Sequence, residues 1–430
     1  MLHLFSRCRT YDAPTPIVMQ ITHLSITNFR NYGRLELDIP PGVTILQGDN
    51  AQGKTNLLEA IYYLATTRSP QTNQDDQLIH WEAEAEGDAP AVGRLVAHVR
   101  TPSGLHHLEM RLIRERKQPQ STLRREALVD RRKVRLLDLL GNLRVVLFLP
   151  EDVNLVTGPP VNRRRYLDVT LCQSDQAYCR ALVSYNKVLE QRNAWLRRLA
   201  EQGAHAGDDD VLSIYTDKLV EWGGRLLTRR AAFLAALGRE VQRVHYEVLT
   251  GRQETLRLAY LPCLQAEAGD TAEAEGLETG QAMAEWLLAQ QHQPKVVAER
   301  FRRALAAARA QELTRGSTQI GPHRDDWCFW VNGRSLSAYG SRGQHRTAIL
   351  ALKMAETDWV SAETGDMPVL LLDDVMAELD QQRRRFLLEH VRHATQALIT
   401  TTDAAVFDPR TLPQATWLRV TQGRIELVTG

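Results

Sequence analysis

Between Val43 and Ala65 the chain reads as an apolar strand, a glycine-bounded loop and a helix, and the loop is Gly48-Asp49-Asn50-Ala51-Gln52-Gly53-Lys54-Thr55. This GxxxxGKT segment constrains the fold more than any other. Such a loop works only when a strand delivers it and a helix leaves it, so that backbone N–H groups and the helix N-terminus face an anion. Both conditions are met. Val43–Leu46 is apolar, and Leu57, Leu58, Ile61 and Leu64 follow at helical spacing. The glycines let the backbone close around phosphate oxygens. Lys54 reaches the β- and γ-phosphates in this arrangement, and the Thr55 hydroxyl ligates Mg²⁺.

A second acidic element is then required, and Val369-Leu370-Leu371-Leu372-Asp373-Asp374 supplies it. The apolar run predicts a strand covered on both faces. Asp373 is placed to hold Mg²⁺, and Asp374 to polarise an attacking water. Upstream, Ser341-Arg342-Gly343-Gln344 begins a helical segment. It resembles the signature motif of ABC-type ATPases, in which a hydroxyl and a helix N-terminus meet the γ-phosphate bound by a second subunit. Ala377-Glu378-Leu379-Asp380 resembles the D-loop of that family. Thr401-Thr402-Asp403 lies at its switch segment, with Thr402 where the usual histidine would stand. The cofactors implied are ATP and Mg²⁺.

The rest of the sequence bounds the architecture. Of the 430 residues 43% are hydrophobic and 24% charged, which fits a globular protein and excludes a disordered one. No run of 18 apolar residues occurs, so no membrane span is expected. Five cysteines without a CxxC pair argue against a disulfide framework or zinc site, and a cytoplasmic protein is expected. Residues 1–18 read as a disordered extension, or as upstream of a true start at Met19. The fold class expected is α/β, a P-loop ABC-type ATPase head split by a helical, short coiled-coil-like insertion. Residues 19–160 and 315–430 form the head. Residues 161–314 form a helical arm or lid, with two long helices at Asp175–Ala200 and Val211–Leu249 and an acidic loop at 266–280.

Net charge is only +1, yet ten basic residues stand against three acidic ones between Arg111 and Arg135. Arg163-Arg164-Arg165 and Arg229-Arg230 add further clusters. Separated blocks of this kind suit a polyanion-binding surface, and DNA phosphates are the expected partner. No basic stretch is interleaved with aromatics, so binding should be largely independent of base sequence.

Lys54 and Asp373 stand 319 residues apart. Transporter ATPases have a shorter insert, and chromosome-structural relatives have a much longer coiled coil. The chain resembles the RecF family of bacterial replication and recombinational-repair proteins. The likeness is carried by Thr27–Tyr32, Gly48–Ile61, Phe148–Asp152, Arg163–Asp168, Gln191–Asn193, Gly321–Asp326, Gly340–Thr347 and Leu371–Asp380. It implies an ATP-dependent homodimer with slow hydrolysis that binds single- and double-stranded DNA at junctions or gaps. It also implies RecO and RecR partners, loading of RecA, a place in the SOS response to DNA damage, and no membrane. By the same pattern Arg30 and Asn31 sit against the nucleotide phosphates. His345 departs from the family's Gly-Gln-Gln-Arg signature, and Gln71, Gln74 and Gln77 compete for the Q-loop position. The alternatives are an SMC-like chromosome-structural ATPase and a transporter-coupled ABC ATPase.

Overall fold

Apolar residues at strand spacing build β1 (Gln20–Phe29), and a register shift between Ile21 and His23 lets Ile21, Leu24 and Ile26 all be buried. The computed structural model describes residues 19–83, 90–117, 120–203, 207–264, 273–407 and 411–428. β2 (Tyr32–Asp38) returns beside β1, and β3 (Gly42–Gln47) leads through the glycine loop into α1 (Lys54–Thr66). Next come β4 (Ala91–Thr101), β5 (Gly104–Lys117), β6 (Gln120–Val129), β7 (Arg132–Val134) and β8 (Val145–Phe148). The arm holds α2 (Pro160–Ser174), α3 (Gln176–Gln202) and α4 (Asp208–Arg243), the last continuing in a π-helical turn to Leu249. It continues with β9 (Leu256–Leu261), α5 (Glu273–Ala289), α6 (Pro294–Ala307) and α7 (Arg309–Arg315). The chain then forms β10 (Asp326–Val331), β11 (Arg334–Ser335), α8 (Arg342–Thr364) and β12 (Val369–Asp373). It closes with α9 (Gln381–Arg392), β13 (Gln396–Thr401), β14 (Thr416–Thr421) and β15 (Arg424–Leu427).

Two six-stranded sheets make the head. One is antiparallel, in the order β2-β1-β4-β5-β6-β7. The other runs β15-β14-β3-β13-β12-β8, with β14, β3, β13, β12 and β8 parallel. Helix α1 lies between them, so Leu57, Leu58 and Leu64 share one core with Leu95 and Met110 of the first sheet and Val369 and Leu371 of the second. Leu370 and Leu372 point the other way, into the core that includes α8 and α9. This two-faced burial explains the uninterrupted apolar run of β12. Gln396 ties the sheets together: its buried amide accepts from Ile21 N at 2.8 Å and donates to the carbonyls of Ile21 and Pro40 at 2.8 and 3.1 Å. The fold is thus an α/β ABC-type ATPase head carrying a helical insertion.

One expectation needs correction, and two features add to the sequence reading. Residues 273–280 of the expected acidic loop are the first turns of α5, because Glu, Ala and Leu favour helix despite the glycines that suggested a loop. Residues 266–272 of that loop and the extension 1–18 lie outside the described residues. The insertion is also not purely helical. β9 pairs antiparallel with β10, which sequence placed in the head, so the arm and the second head segment share the sheet β11-β10-β9. Finally, much of Arg111–Arg135 forms the paired strands β5 to β7, which charge density had concealed.

Candidate nucleotide-binding site

The glycine loop sits at the carboxyl end of β3, and its neighbours in the sheet decide what faces it. β13 lies between β3 and β12, pairing Thr400 with Leu46 on one side and with Asp373 on the other. The Thr400 hydroxyl donates to Asp373 Oδ1 at 2.7 Å, and Thr55 Oγ1 donates to the same oxygen at 3.0 Å. Asn50, Ala51, Gly53, Lys54, Thr55, Asp373 and Asp374 line a single cavity of about 130 Å³ together with Asn56. Residues more than 300 positions apart in sequence thus meet at one point, as their separate motifs require.

Within the loop, Gly53 adopts φ +113°, and a Cβ there would meet Asn31 Nδ2 at 2.6 Å. A Cβ on Gly48 would collide with the Val420 carbonyl. Both positions exclude any side chain. Lys54 is buried and donates to the carbonyls of Gly48 and Asp49 at 2.6 and 2.7 Å, spanning the loop that it would otherwise share with phosphate oxygens. Burial pulls the Lys54 ammonium below its ordinary range, against the pull of Asp374, Asp373 and Asp49. Burial pushes the Asp373 carboxyl up, while hydrogen bonds from Thr400 and Thr55 oppose the rise. Asp374 caps the strand at φ 50°, its N–H donates to Thr400 Oγ1 at 2.9 Å, and its buried Oδ1 has no hydrogen-bond partner among the described residues. The donor set is hydroxyl and carboxylate oxygen, which suits a hard cation such as Mg²⁺. The orphaned Asp374 oxygen is a polar group that lacks its partner.

Two supports were missed by sequence reasoning. Tyr32 OH donates to the Gly53 carbonyl at 2.9 Å. The β14–β15 turn closes over Gln52, with Gln422 N donating to its side chain at 2.7 Å and Gly423 N to its carbonyl at 3.0 Å. The consecutive positive φ values of Gln422 and Gly423 mark a tight hairpin turn, so the Gln-Gly pair between alternating residues was the available signal.

The remaining candidates are placed differently. Asn31 does meet the loop, donating to the Gln52 carbonyl at 3.2 Å and accepting from Asn56 at 2.7 Å. Arg30 instead forms a bidentate pair with buried Glu59, at 2.7 and 2.8 Å, and donates to the Gln77 carbonyl. Gln71, Gln74 and Gln77 do not line the cavity. Ser341, Gly343 and Gln344 do not line it either. Ser341 caps α8, accepting from Gln344 N at 3.2 Å, while the Gln344 side chain returns to Ser341 N at 2.8 Å and reaches Glu254 at 2.7 Å. His345 is buried and bonded to the Leu336 carbonyl. Arg346 pairs with Glu378 at 3.1 Å, so the signature helix and the D-loop touch within one chain. Thr401 and Asp403 bond to one another across a local turn.

The basic clusters are largely spent on internal pairs. Arg163 grips Asp326 at 2.7 and 2.8 Å, and Arg230 is buried on Asp168 and Asp325. Arg229 pairs with Asp175 and Glu363. On the sheet, Arg111, Arg124 and Lys133 converge on Glu126, and Arg111 and Arg94 on Glu109. These residues answer carboxylates that folding brings alongside, so part of the clusters' charge is paired within the fold. Arg131 and Arg132 belong to the β6–β7 turn and strand start, and both are exposed.

Among known proteins, the RecF/RecN/SMC N terminal domain family matches residues 20–422. The chain is 41% identical over 413 residues to the DNA replication and repair protein RecF of Chloroflexus aurantiacus, covering 95% of this chain and 99% of that one. RecF of Geobacillus kaustophilus is 35% identical over 407 residues, with 95% and 99% coverage. Among solved structures, the recombination mediator protein RecF with ATP, of the RecFOR pathway, superposes with a TM-score of 0.79 at 28% identity, covering 98% of this chain and 100% of that one. Its counterpart with ATPrS gives 0.78 at 29% identity, with 96% and 99% coverage. Among the described residues no helix is long and apolar enough to cross a membrane.

Proposed function

This chain belongs to the RecF branch of the RecF/RecN/SMC family, a branch of DNA replication and repair proteins, and from that premise we propose that it is an ATP-dependent DNA-binding protein of recombinational repair. It binds gapped DNA or single-strand/double-strand junctions in the cytoplasm, largely without regard to base sequence. With RecO- and RecR-type partners it helps load RecA. The observation that carries this reading is the single cavity in which Lys54, Thr55, Asp373 and Asp374 converge, in a chain whose relatives match it nearly end to end.

The residues divide the work. Backbone N–H groups of Gly48–Thr55 and the Lys54 ammonium hold the triphosphate of ATP. Thr55 and Asp373 are the residues that would hold Mg²⁺, which when bound neutralises charge on the β- and γ-phosphate oxygens. Asp374 accepts a hydrogen bond from the attacking water and aims it. Ser341 and the N-terminus of α8 serve the partner subunit's nucleotide, so ATP holds two chains together as a homodimer.

The test is binding of gapped, single-stranded and duplex DNA with and without ATP, alongside co-purification of RecR on the gapped substrate. ATP-dependent retention of RecR on gapped DNA supports the reading. ATP binding with no DNA affinity in any form would refute it.

A further inference from the structure

Several arginines that form no carboxylate pair in the structure are gathered in one cleft. A cleft of about 610 Å³ opens between the end of α1 and helices α2 and α3, and Arg68, Arg125, Arg164 and Arg165 all line it. Their partners differ from those of the other arginines. Arg164 donates to the backbone carbonyl of Asp325 at 2.7 Å. Arg165 donates to the Asn73 side chain at 2.6 Å and to the Ser69 carbonyl. Both are half-buried, and their hydrogen-bond partners are neutral oxygens. Arg68 is exposed, with no side-chain partner among the described residues. Arg125 alone has an acid, Asp75 at 3.0 Å. The one carboxylate on the lining, Asp168, is taken by Arg230 at 2.8 Å.

Half-buried guanidinium groups are costly to desolvate, and neither of these two is hydrogen-bonded to a carboxylate. Burial lowers the pKa of both Arg164 and Arg165; Asp326, Asp325 and Asp168 nearby oppose the fall at Arg164, while Arg68 adds like-charge repulsion at Arg165 against the opposing pull of Tyr62 and Asp75. The cleft is therefore built for an anion carrying more than one charge. Planar guanidinium forks suit phosphate oxygens, and their faces accept stacked bases. Leu137, Leu182 and Val183 give the walls an apolar surface against which a base can lie.

We infer that this cleft seats the phosphodiester backbone of single-stranded DNA, held by Arg68, Arg164 and Arg165. The inference rests on the DNA-binding reading above and locates its single-strand interface away from the β5–β7 strip. An acidic protein segment is the competing occupant.

The experiment measures anisotropy of a labelled oligothymidylate and, separately, of a labelled oligoglutamate peptide, using the full chain with ATP across a salt series. The variants are Arg68→Glu, Arg165→Gln and the triple replacement of Arg131, Arg132 and Lys133 by Ala. Arg68→Glu removes no internal bond and should keep the wild-type melting curve and ATP affinity. It should weaken oligothymidylate binding about tenfold or more and flatten the salt slope by about 0.7 for each phosphate that the cleft no longer neutralises. Arg165→Gln should act in the same direction, and the triple variant should affect the oligothymidylate less than either. Wild-type affinity and slope in both cleft variants, with the chain still binding DNA, would overturn the inference. Arg68-dependent binding of oligoglutamate without Arg68-dependent binding of oligothymidylate would overturn it in favour of a peptide site. Failure of the wild type to bind any DNA would instead sink the functional reading itself.

Discussion

Asp374 holds a buried carboxylate oxygen without a partner at a left-handed backbone position (φ 50°), beside the Asp373 that Thr55 and Thr400 already satisfy. On the proposed reading, that difference makes Asp374 the water-aiming group and Asp373 the metal-holding group. Asp374→Asn should therefore bind ATP normally, accumulate the ATP-bound dimer and hydrolyse ATP about a hundredfold more slowly or worse. Single-turnover hydrolysis measures this, and wild-type turnover would assign the role to another residue. Hydrolysis by the wild type should itself be slow, since Asp is one methylene shorter than Glu and positions water less favourably. Glu109 makes a second residue-scale case. Burial pushes its carboxyl up, but Arg94, Arg111 and His107 hold it at about 2. Glu109→Gln should destabilise the head by about 1 kcal/mol in urea denaturation, because two partly exposed guanidinium groups lose their shared acid. The phosphate loop and the Asp373-Asp374 pair were legible in sequence because their chemistry depends on adjacent residues. Arg30 and Arg163 were not, since Glu59 and Asp326 become their partners only after folding.

At the scale of elements, the β14–β15 hairpin acts as a clamp on the phosphate loop through Gln52. Gln52→Ala removes one of the two bonds and should weaken ATP binding by about 1 kcal/mol, near fivefold, without lowering the melting temperature appreciably. Titration calorimetry would check it, and an unchanged affinity would show that the hairpin only abuts the loop. Against the arm, His323 is braced between Tyr185 OH at 2.7 Å and the Thr318 carbonyl at 3.1 Å. Burial lowers its pKa to about 4. The fold thus holds this histidine neutral, and the unfolded chain protonates it more readily below about pH 6.5. Its contribution is fully present above that pH and is lost as pH falls toward 4, at up to about 1.4 kcal/mol per unit. Denaturant midpoints at pH 7 and pH 5 should differ less in His323→Gln than in the wild type. Elements with a two-faced apolar run or a capped helical period were readable in sequence, as β12 and α8 are. β5 and β6 were obscured by arginines whose acids lie on neighbouring strands, and the β9–β10 pairing joins segments too distant for any local pattern to reveal.

For the molecule as a whole, Gln396 and the interleaved α1 make one head from two sequence segments, so the nucleotide site is rigidly supported from both. The signature serine remains outside that site in its own chain and already caps α8. On the proposed reading a second copy supplies the Ser341 half of a complete site, with the Arg346–Glu378 pair coupling signature helix to D-loop. The most direct measurement is light scattering of the wild type and of Ser341→Arg, each with and without ATP. The wild type should be monomeric alone and dimeric with ATP, whereas Ser341→Arg should bind ATP with unchanged affinity and stay monomeric. Equal ATP-induced dimerisation of the two proteins, or an ATP-saturated wild type that remains monomeric, would contradict the composite site.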